Sequence, residues 1–148
     1  MIAIIQRVSS ANVTVDEKEI ARIGAGMAVL VSVHAEDLDE DIQWTARKLA
    51  TIRMFADGER NFERDVVAVG GSILLVSNFT VAAETAKGRR PSLGAAASPK
   101  VGREKFDQLV VAVAALVPST QTGEFGADMK VSLTNDGPVT FILDSRKK

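Results

Sequence analysis

The first part of the chain has the apolar patterns of β-strands. Residues 3–8 form a short apolar run, and in residues 11–15 valines alternate with polar residues, as in a strand with one buried face. Asp16, Glu17 and Lys18 form a polar turn, so residues 19–23 are expected to return as the second arm of a hairpin.

Two further strands are predicted from nearly continuous apolar runs. After a break at Gly24-Ala25-Gly26, residues 27–33 have the composition of a strand that is covered on both faces. Gly70-Gly71 marks a turn, and residues 72–79 follow it as another strongly apolar strand.

Two segments have helical periodicity. Acidic residues at positions 37, 39 and 40 favour the start of a first helix, because they complement the partial positive charge at a helix N-terminus. Its apolar positions recur at helical spacing: Ile42, Ala46, Leu49 and Ile52. The second helix is predicted to begin at Ser98 as the N-cap with Pro99 in the first turn, and to stop before Pro118. Its apolar face comprises Phe106, Leu109, Val110, Val113 and Val117.

The rest of the chain predicts two more strands and one long loop. Residues 130–134 and 139–143 are the strands, joined by a turn of Asn135, Asp136, Gly137 and Pro138. Residues 81–97 form a loop of a length that is usually functional in a compact domain. Because the strands cluster instead of alternating with helices, we expect one α/β domain, residues 1–148, with a mixed, barrel-like sheet flanked by two main helices.

Composition narrows the functional classes. The 148 residues are 46% apolar and 25% charged, as in an ordinary globular protein, with a net charge of -1. This balance argues against broad nucleic-acid binding but permits contact with one short RNA end. The apolar start is brief and ends at Arg7, and no apolar run approaches the roughly 20 residues of a membrane span, so we expect a cytoplasmic protein that does not contact a membrane.

Cysteine and metal chemistry are not expected. The chain has no cysteine, which excludes disulfides, thiolate ligands and a cysteine nucleophile. His34 is the single histidine, and we interpret it as a surface or partly buried side chain rather than a catalytic base. One histidine with scattered carboxylates lacks the spacing of metal ligands, so we predict no metal and no cofactor.

Three segments could carry chemistry, and each has a plainer interpretation. Ser77-Asn78-Phe79-Thr80 ends a buried strand, where it could deliver side chains and N–H groups to a rim or simply form a turn. The cationic residues Lys87, Arg89 and Arg90 could bind phosphate or form a solvated loop. Gly137-Pro138 could be a plain turn, whereas a cis bond there would direct two carbonyl groups to one side, as a receptor for an ammonium group.

These segments, in this order, resemble the D-aminoacyl-tRNA deacylase family, once called D-tyrosyl-tRNA deacylases. The resemblance covers nearly the whole chain, and its separate motifs are Gln6-Arg7-Val8, Ser77-Asn78-Phe79-Thr80, residues 87–92, Gly123-Glu124-Phe125-Gly126-Ala127 with Met129, and residues 135–140. It implies a homodimer that cleaves the ester between a D-amino acid and the 3′ end of tRNA, and that also acts on glycine mischarged on tRNA(Ala).

The resemblance also implies roles for individual residues. Gly137 and Pro138 would reach from one subunit into the pocket of the other, where their carbonyls hold the substrate amino group so that an L side chain is rejected. Phe125 and Met129 would line a pocket for the terminal adenosine, and Arg7 would buttress the site. The chain departs from the family at Asn78, where glutamine is usual, and the shorter amide puts the role of that residue in question.

The expected mechanism relies on the substrate and on the backbone. Thr80 could be a nucleophile, but the sequence offers no base beside it. We therefore expect the ribose 2′-OH to activate water and the N–H groups of Phe79 and Thr80 to stabilise the oxyanion, at about 3 kcal/mol per donor. Two alternatives stay open: a dimeric RNA-end binding module without hydrolysis, and a deacylase of L-amino acids on mismatched tRNA, as in a related group with a trans Gly-Pro bond.

Overall fold

The first strand, β1 (Ile2–Val15), is continuous over 14 residues in the computed structural model, which describes residues 1–148. The sequence predicted two strands here, and that division is wrong. The polar residues at positions 9 and 10 lie where β1 changes its antiparallel partner, since Val8 pairs with Gly26 and Ala11 pairs with Ile23. A change of partner, and not a break in the strand, explains the polar interruption.

β1 is followed by two antiparallel neighbours. β2 (Lys18–Ile23) returns through a two-residue turn in which Asp16 and Glu17 have positive φ angles of 47° and 64°, the geometry that matches the twist of a hairpin. β3 (Gly26–Ser32) pairs with the first half of β1. All of β3 except Leu30 is buried, which confirms the prediction of a strand covered on both faces.

The helix α1 (Asp39–Thr51) and a short hairpin come next. The N–H of Leu38 donates to the Asp41 carboxylate (2.8 Å) at the start of α1, and its buried face includes the predicted Ile42, Ala46 and Leu49. The hairpin of β4 (Phe55–Asp57) and β5 (Arg60–Arg64) was not predicted. Its strands are short, and β5 is exposed throughout, so it has no apolar alternation to detect.

β6 (Ser72–Ser77) pairs in parallel with β3 and ends two residues earlier than predicted. Residues Phe79–Ala82 form a 3₁₀ turn instead. The helix α2 (Pro99–Leu116) begins after Ser98 and ends before Pro118, as predicted, although the Ser98 side chain makes no capping hydrogen bond. A three-residue strand, β7 (Thr120–Thr122), which was not predicted, pairs in parallel with β6.

The last strand, β8 (Lys130–Asp144), runs antiparallel to β1 over 15 residues. The sequence predicted two strands joined by a turn, and the structure keeps both parts beside β1. Gln6 pairs with Thr140 and Val8 with Asn135, so residues 136–139 bulge away from the ladder. The predicted turn is therefore an excursion within one strand.

Six of the strands build one mixed, nearly closed sheet with two helices against it, and β4 and β5 form a separate two-stranded sheet, which confirms the predicted α/β fold class. The strand order is β2-β1-β3-β6-β7, with β8 on the other side of β1. One core cluster, with Ile5, Met27 and Leu109, lies between the sheet and the helices, and a second, with Val13 and Leu74, lies on the opposite face. No helix of the chain is long and apolar enough to cross a membrane.

Candidate active site

An apolar cavity of about 310 Å³ opens where β6 ends. This volume lies at the lower end of the range of roughly 300–1,000 Å³ that is typical of small-molecule sites. Four parts of the chain line the cavity: the end of β3, the end of β6, the first turns of α2, and the segment that leads into β8. Five of the predicted site residues line it, namely Ser77, Asn78, Phe79, Phe125 and Met129.

Asn78 fixes the turn after β6. Its N–H donates to the carbonyl of Val31 (2.8 Å), which ties the turn to β3. Its side-chain oxygen Oδ1 accepts from the Thr80 N–H (3.2 Å) and from the Thr80 hydroxyl (2.5 Å). Short amide side chains commonly bond the backbone two residues on in this way. Asn78 is therefore the N-cap of the 3₁₀ turn.

These contacts bear on the chemistry expected of Thr80. Its hydroxyl hydrogen is directed to an amide oxygen, which is not a base at neutral pH, so the turn supplies no general base for a nucleophilic threonine. Its N–H, which we predicted as an oxyanion donor, is bonded inside the turn to Asn78. The N–H of Phe79 takes no part in the turn's hydrogen bonds, which come from Thr80, Val81 and Ala83.

Phe79 lies at the rim of the cavity. Its side chain is 60% exposed, which is unusual for a large apolar residue on a rigid turn. Its carbonyl accepts a hydrogen bond from the hydroxyl of the fully buried Ser32 (3.4 Å). The backbone of Phe79 is thus fixed by the buried Ser32, while its ring remains accessible to a ligand.

Phe125 and Met129 line the cavity from the segment between β7 and β8. The Met129 side chain packs against Gly123, where an added Cβ would lie 2.6 Å from the methionine sulfur. The Phe125 ring lies 6.0 Å from the ring of Phe106 on α2, and the Arg103 guanidinium sits 4.9 Å from its centroid. Two motifs that are far apart in sequence therefore meet across one cavity.

The bulge of β8 forms a second, separate feature. Arg7 donates through Nε to the carbonyl of Asp136 (2.9 Å) and through a terminal nitrogen to the carbonyl of Met54 (2.7 Å). The Gly137-Pro138 peptide bond is cis. An added Cβ at Gly137 would lie 2.7 Å from a Val139 methyl and 3.1 Å from the Arg7 guanidinium, so Arg7 and the bulge are in close contact.

One chain does not bring the two features together. Neither Gly137 nor Pro138 lines the cavity. Val131, which does, pairs with Val13 on β1, whereas Asn135 pairs with Val8. The bulge therefore lies five residues along β1 from the register of Val131, and it is separate from the residues that line the cavity.

The cationic residues lie on a third feature, a loop tip closed by a pair of backbone hydrogen bonds between Glu84 and Ser92 (2.9 and 2.8 Å). Lys87, Arg89 and Arg90 are exposed and form no ion pair. They do not line the cavity. Their three charges are therefore available to an anionic ligand outside it.

His34 belongs to a buried polar cluster and follows Val33, a residue that lines the cavity. The backbone N–H of His34 donates to the carboxylate of Asp37 (2.7 Å), which also accepts from the amine of Met1. Burial lowers the pKa of His34, and the positive charges of Arg146 and the Met1 amine lower it further. The imidazole is therefore neutral at pH 7 and does not line the cavity. No group of three or more histidine, aspartate or glutamate side chains in the chain is arranged to hold a metal ion.

Fold and cavity together define a class: a small α/β protein whose nearly closed mixed sheet presents an apolar ligand cavity at the end of a buried strand. The model of the D-Tyr-tRNA(Tyr) deacylase family matches residues 4–144. The D-aminoacyl-tRNA deacylase of Desulfitobacterium hafniense is 44% identical over 147 residues, covering 99% of both chains. The chain belongs to the D-Tyr-tRNA(Tyr) deacylase family.

Two solved structures are similar in fold. A c-Myc DNA unwinding element binding protein has a TM-score of 0.93 at 31% identity, covering 97% of this chain and 98% of that one. A probable eukaryotic D-amino acid tRNA deacylase has a TM-score of 0.85 at 15% identity, covering 96% and 97%. The second likeness concerns the fold alone.

Sequence reasoning missed the part of the cavity that α2 supplies. Gly102 and Phe106 line it, and Arg103 holds Phe125 from outside. Phe106 was predicted only as a core residue. Gly102 and Phe106 are four positions apart and share a helix face, which is the one local signal that could have paired them. Nothing in the sequence around Arg103 indicates its contact with Phe125.

Proposed function

We propose that this protein is a D-aminoacyl-tRNA deacylase, which hydrolyses the ester between a D-amino acid, or glycine mischarged on tRNA(Ala), and the 3′-terminal adenosine of tRNA. The observation that carries the proposal is the apolar cavity whose walls come from two family motifs, one ending at Thr80 and one around Phe125. The names of curated relatives, such as that of Desulfitobacterium hafniense, support the same substrate.

The cavity would receive the terminal adenosine. Phe79, Phe125 and Met129 offer the apolar and aromatic surfaces on which an unstacked base packs, an interaction that does not depend on charge. Lys87, Arg89 and Arg90 would contact nearby phosphates, because guanidinium and ammonium groups pair with phosphate oxygens. The net charge of -1 fits a protein that grips only the end of the RNA.

Hydrolysis would proceed by attack of water on the ester carbonyl. The ribose 2′-OH orients the water and accepts a proton from it while donating its own proton to the departing 3′ oxygen, so that the new carbonyl carbon–oxygen bond forms and the carbonyl carbon–O3′ bond breaks. The Phe79 N–H is the donor that the turn leaves for the oxyanion, since the Thr80 N–H is bonded to Asn78. Thr80 then acts by holding the turn, through its hydrogen bonds to Asn78, and not as a nucleophile.

The Gly137-Pro138 bulge of a second copy would complete the site. Within one chain neither Gly137 nor Pro138 lines the cavity, so we propose that chirality selection by their carbonyls involves another subunit. The outer edge of β8 has no pairing partner, and the nearby Ile142 and Phe62 side chains are 71% and 47% exposed. An unpaired edge with exposed apolar residues is a surface that a second copy can cover.

The decisive experiment compares D-, L- and glycyl-esters on matched tRNA. Release of the D-amino acid and of glycine, with the L-ester left intact, supports the proposal. Preferential release of the L-amino acid would favour the alternative of an L-specific deacylase on mismatched tRNA. Protection of all three esters from spontaneous hydrolysis would favour a binding module without catalysis.

Subunit mixing tests whether the bulge acts across chains. Ala127→Phe fills the cavity of one variant, since Ala127 lines it, and Gly137→Ala disrupts the bulge of another. Each variant alone should be inactive, but a co-expressed mixture should recover about a quarter of the wild-type activity, because half of the dimers contain one intact composite site. No recovery would mean that the bulge serves the cavity of its own chain.

One substitution and one altered substrate separate the mechanisms. Thr80→Ala should lower the rate by far less than a thousandfold, whereas a loss of more than roughly a thousandfold with binding intact would make Thr80 the nucleophile. A substrate that ends in 2′-deoxyadenosine should be bound but cleaved poorly. Equal cleavage of the ribose and deoxyribose substrates would exclude the role assigned to the 2′-OH.

A further inference from the structure

The first turns of α2 form a socket around Phe125. The Arg103 guanidinium lies over the phenylalanine ring, 4.9 Å from its centroid, and donates a hydrogen bond to the Phe125 carbonyl (2.9 Å). The ring of Phe106 packs against the same ring at 6.0 Å and an interplanar angle of 47°. Gly102 is buried beside them, and an added Cβ there would lie 3.3 Å from the edge of the Phe125 ring.

The segment that carries Phe125 has little structure of its own. It lies between β7 and β8 and is outside both helix and sheet. Its backbone hydrogen bonds are one from Gly123 to the carbonyl of Leu75 (2.9 Å) and one from Ala127 to the carbonyl of Glu124 (3.2 Å). The position of the Phe125 ring is therefore set by α2 rather than by a regular ladder.

We propose that Arg103 is a positioning residue for the nucleoside end of the substrate, and that Gly102 sets how far the Phe125 wall stands from the cavity. The inference rests on the proposed function, in which that wall contacts the terminal adenosine. Arg103 itself is exposed and does not line the cavity, so it acts through Phe125 and does not touch the base.

The shape of the guanidinium matters as much as its charge. A planar group can lie against an aromatic face while one of its N–H groups donates to a carbonyl, and a lysine ammonium cannot make both contacts in this geometry. Phe125 is remote from the scissile ester in this arrangement, so its contacts are equally strong in the ground state and the transition state. Their loss should raise KM and leave kcat unchanged.

The competing interpretation is that Arg103, an exposed cation, binds an RNA phosphate directly. A phosphate contact would be weakened by salt, would be absent from a substrate without a polynucleotide, and would be largely kept by lysine. A positioning contact would be insensitive to salt, would also affect a substrate without a polynucleotide, and would be lost with lysine. The two interpretations are therefore separable with conservative variants and a truncated substrate.

The experiment measures KM and kcat for Arg103→Gln, Arg103→Lys, Phe125→Ala and the Arg103→Gln/Phe125→Ala double variant. The substrates are D-aminoacyl-tRNA and a D-aminoacyl-adenosine ester. Lys48→Gln, which removes one exposed charge from α1, is the matched control. We expect Arg103→Gln to raise KM about fivefold on both substrates with kcat within about twofold, Arg103→Lys not to restore KM, and the effect to vanish in the Phe125→Ala background.

A rise in KM that appears only with tRNA, depends on salt or is restored by lysine would overturn the positioning role. An unchanged KM on both substrates would do so as well. Adenosine binding, measured by calorimetry on the same variants, tests the socket independently of turnover. Failure of the wild-type protein to hydrolyse any ester would count against the proposed function, whereas weaker adenosine binding by Arg103→Gln would still support the socket.

Gly102→Ala provides a second test, in which a loss of adenosine binding could not be attributed to unfolding. Alanine is a better helix former than glycine, so the substitution should not destabilise α2 by itself. Its methyl group would push the Phe125 ring by a few tenths of an ångström. Weaker adenosine binding with an undiminished melting temperature is expected, and unchanged binding would show that the wall position does not limit the cavity.

Discussion

Replacing Arg7 with methionine removes one half-buried and one exposed hydrogen bond while keeping an apolar stem of similar length. The Arg7 side chain is 14% exposed. Its guanidinium donates to the carbonyl of Asp136 (2.9 Å) and to that of Met54 (2.7 Å), so it connects the β8 bulge to the chain just before β4. Methionine can occupy the space of the aliphatic part of the Arg7 side chain, but it leaves both carbonyls without this donor.

The expected cost follows from these contacts. A hydrogen bond from a charged donor contributes about 1.5–3 kcal/mol, and the bond to the buried Met54 should lie in that range. The bond to Asp136 is more exposed and counts for less, as does the ion pair with its carboxylate at 3.8 Å. A total of about 3 kcal/mol lowers Tm by about 6–12 °C for a chain of this size.

The assay combines thermal unfolding with deacylation of D- and L-esters. We expect Arg7→Met to lower Tm as calculated, to slow cleavage of the D-ester, and to reduce the ratio of D to L cleavage, because the bulge loses its support. Arg22→Met is the control. Arg22 makes a closer ion pair, with Glu19 at 2.5 Å, but this pair lies on an exposed hairpin, so the Tm of the Arg22→Met variant should equal that of the wild type.

Two results would contradict this reasoning. A Tm equal to that of the wild type would refute the magnitudes assigned to the two hydrogen bonds. A lower Tm with an unchanged D-to-L ratio would show that Arg7 stabilises the fold but does not position the bulge for selection.

The hydrogen bond from Arg146 lowers the pKa of Asp144 to about 2, so the stability that this carboxylate contributes is complete above about pH 4 and is lost as the pH falls through its folded pKa. Asp144→Asn should therefore flatten the fall in Tm between pH 4 and pH 2, a contribution of about 2 kcal/mol. Leu109→Ala, at a fully buried position of α2, should lower the free energy of unfolding by about 3 kcal/mol in urea titrations, and a loss below about 1 kcal/mol would mean that the core closes around the gap. Gly137→Ala places a methyl group 2.7 Å from Val139 at a φ of 141°, and it should lower D-ester cleavage by more than about tenfold in single-turnover assays; near-normal cleavage would show that the bulge tolerates the shift.

The elements that local chemistry determines were predicted well. Ser98 and Pro99 mark the start of α2 because proline suits the first helical turn, and the continuous apolar run of β3 reflects burial on both faces. The continuity of β1 and β8 was not predictable, because polar residues at positions 9–10 and 135–138 look like breaks in an isolated strand. In the fold they mark a change of partner and a bulge, and both depend on neighbouring strands.

The candidate site likewise has features that were predictable from the sequence and features that were not. The motifs around Phe79 and Phe125 were predicted from their resemblance to the family, and the fold brings both to the cavity. The hydrogen bond from the Thr80 N–H to Asn78 was not predicted, since it depends on the conformation of the Asn78 side chain. The contact of Arg103 with Phe125 joins residues 22 positions apart and leaves no pattern in either segment.

The separation of cavity and bulge has a consequence for chirality. The cavity is mainly apolar, and such walls bind an adenosine without fixing the configuration of the amino acid attached to it. Discrimination between enantiomers needs a further fixed contact to the amino group, and in the proposed arrangement the bulge of a second copy supplies it, because Gly137 and Pro138 of the same chain do not line the cavity. In the proposed dimer, a single subunit should therefore bind adenosine as well as the pair does but should not select the D-ester. Nucleoside affinity and stereoselectivity would then be separable properties of this protein, the first belonging to one chain and the second to two.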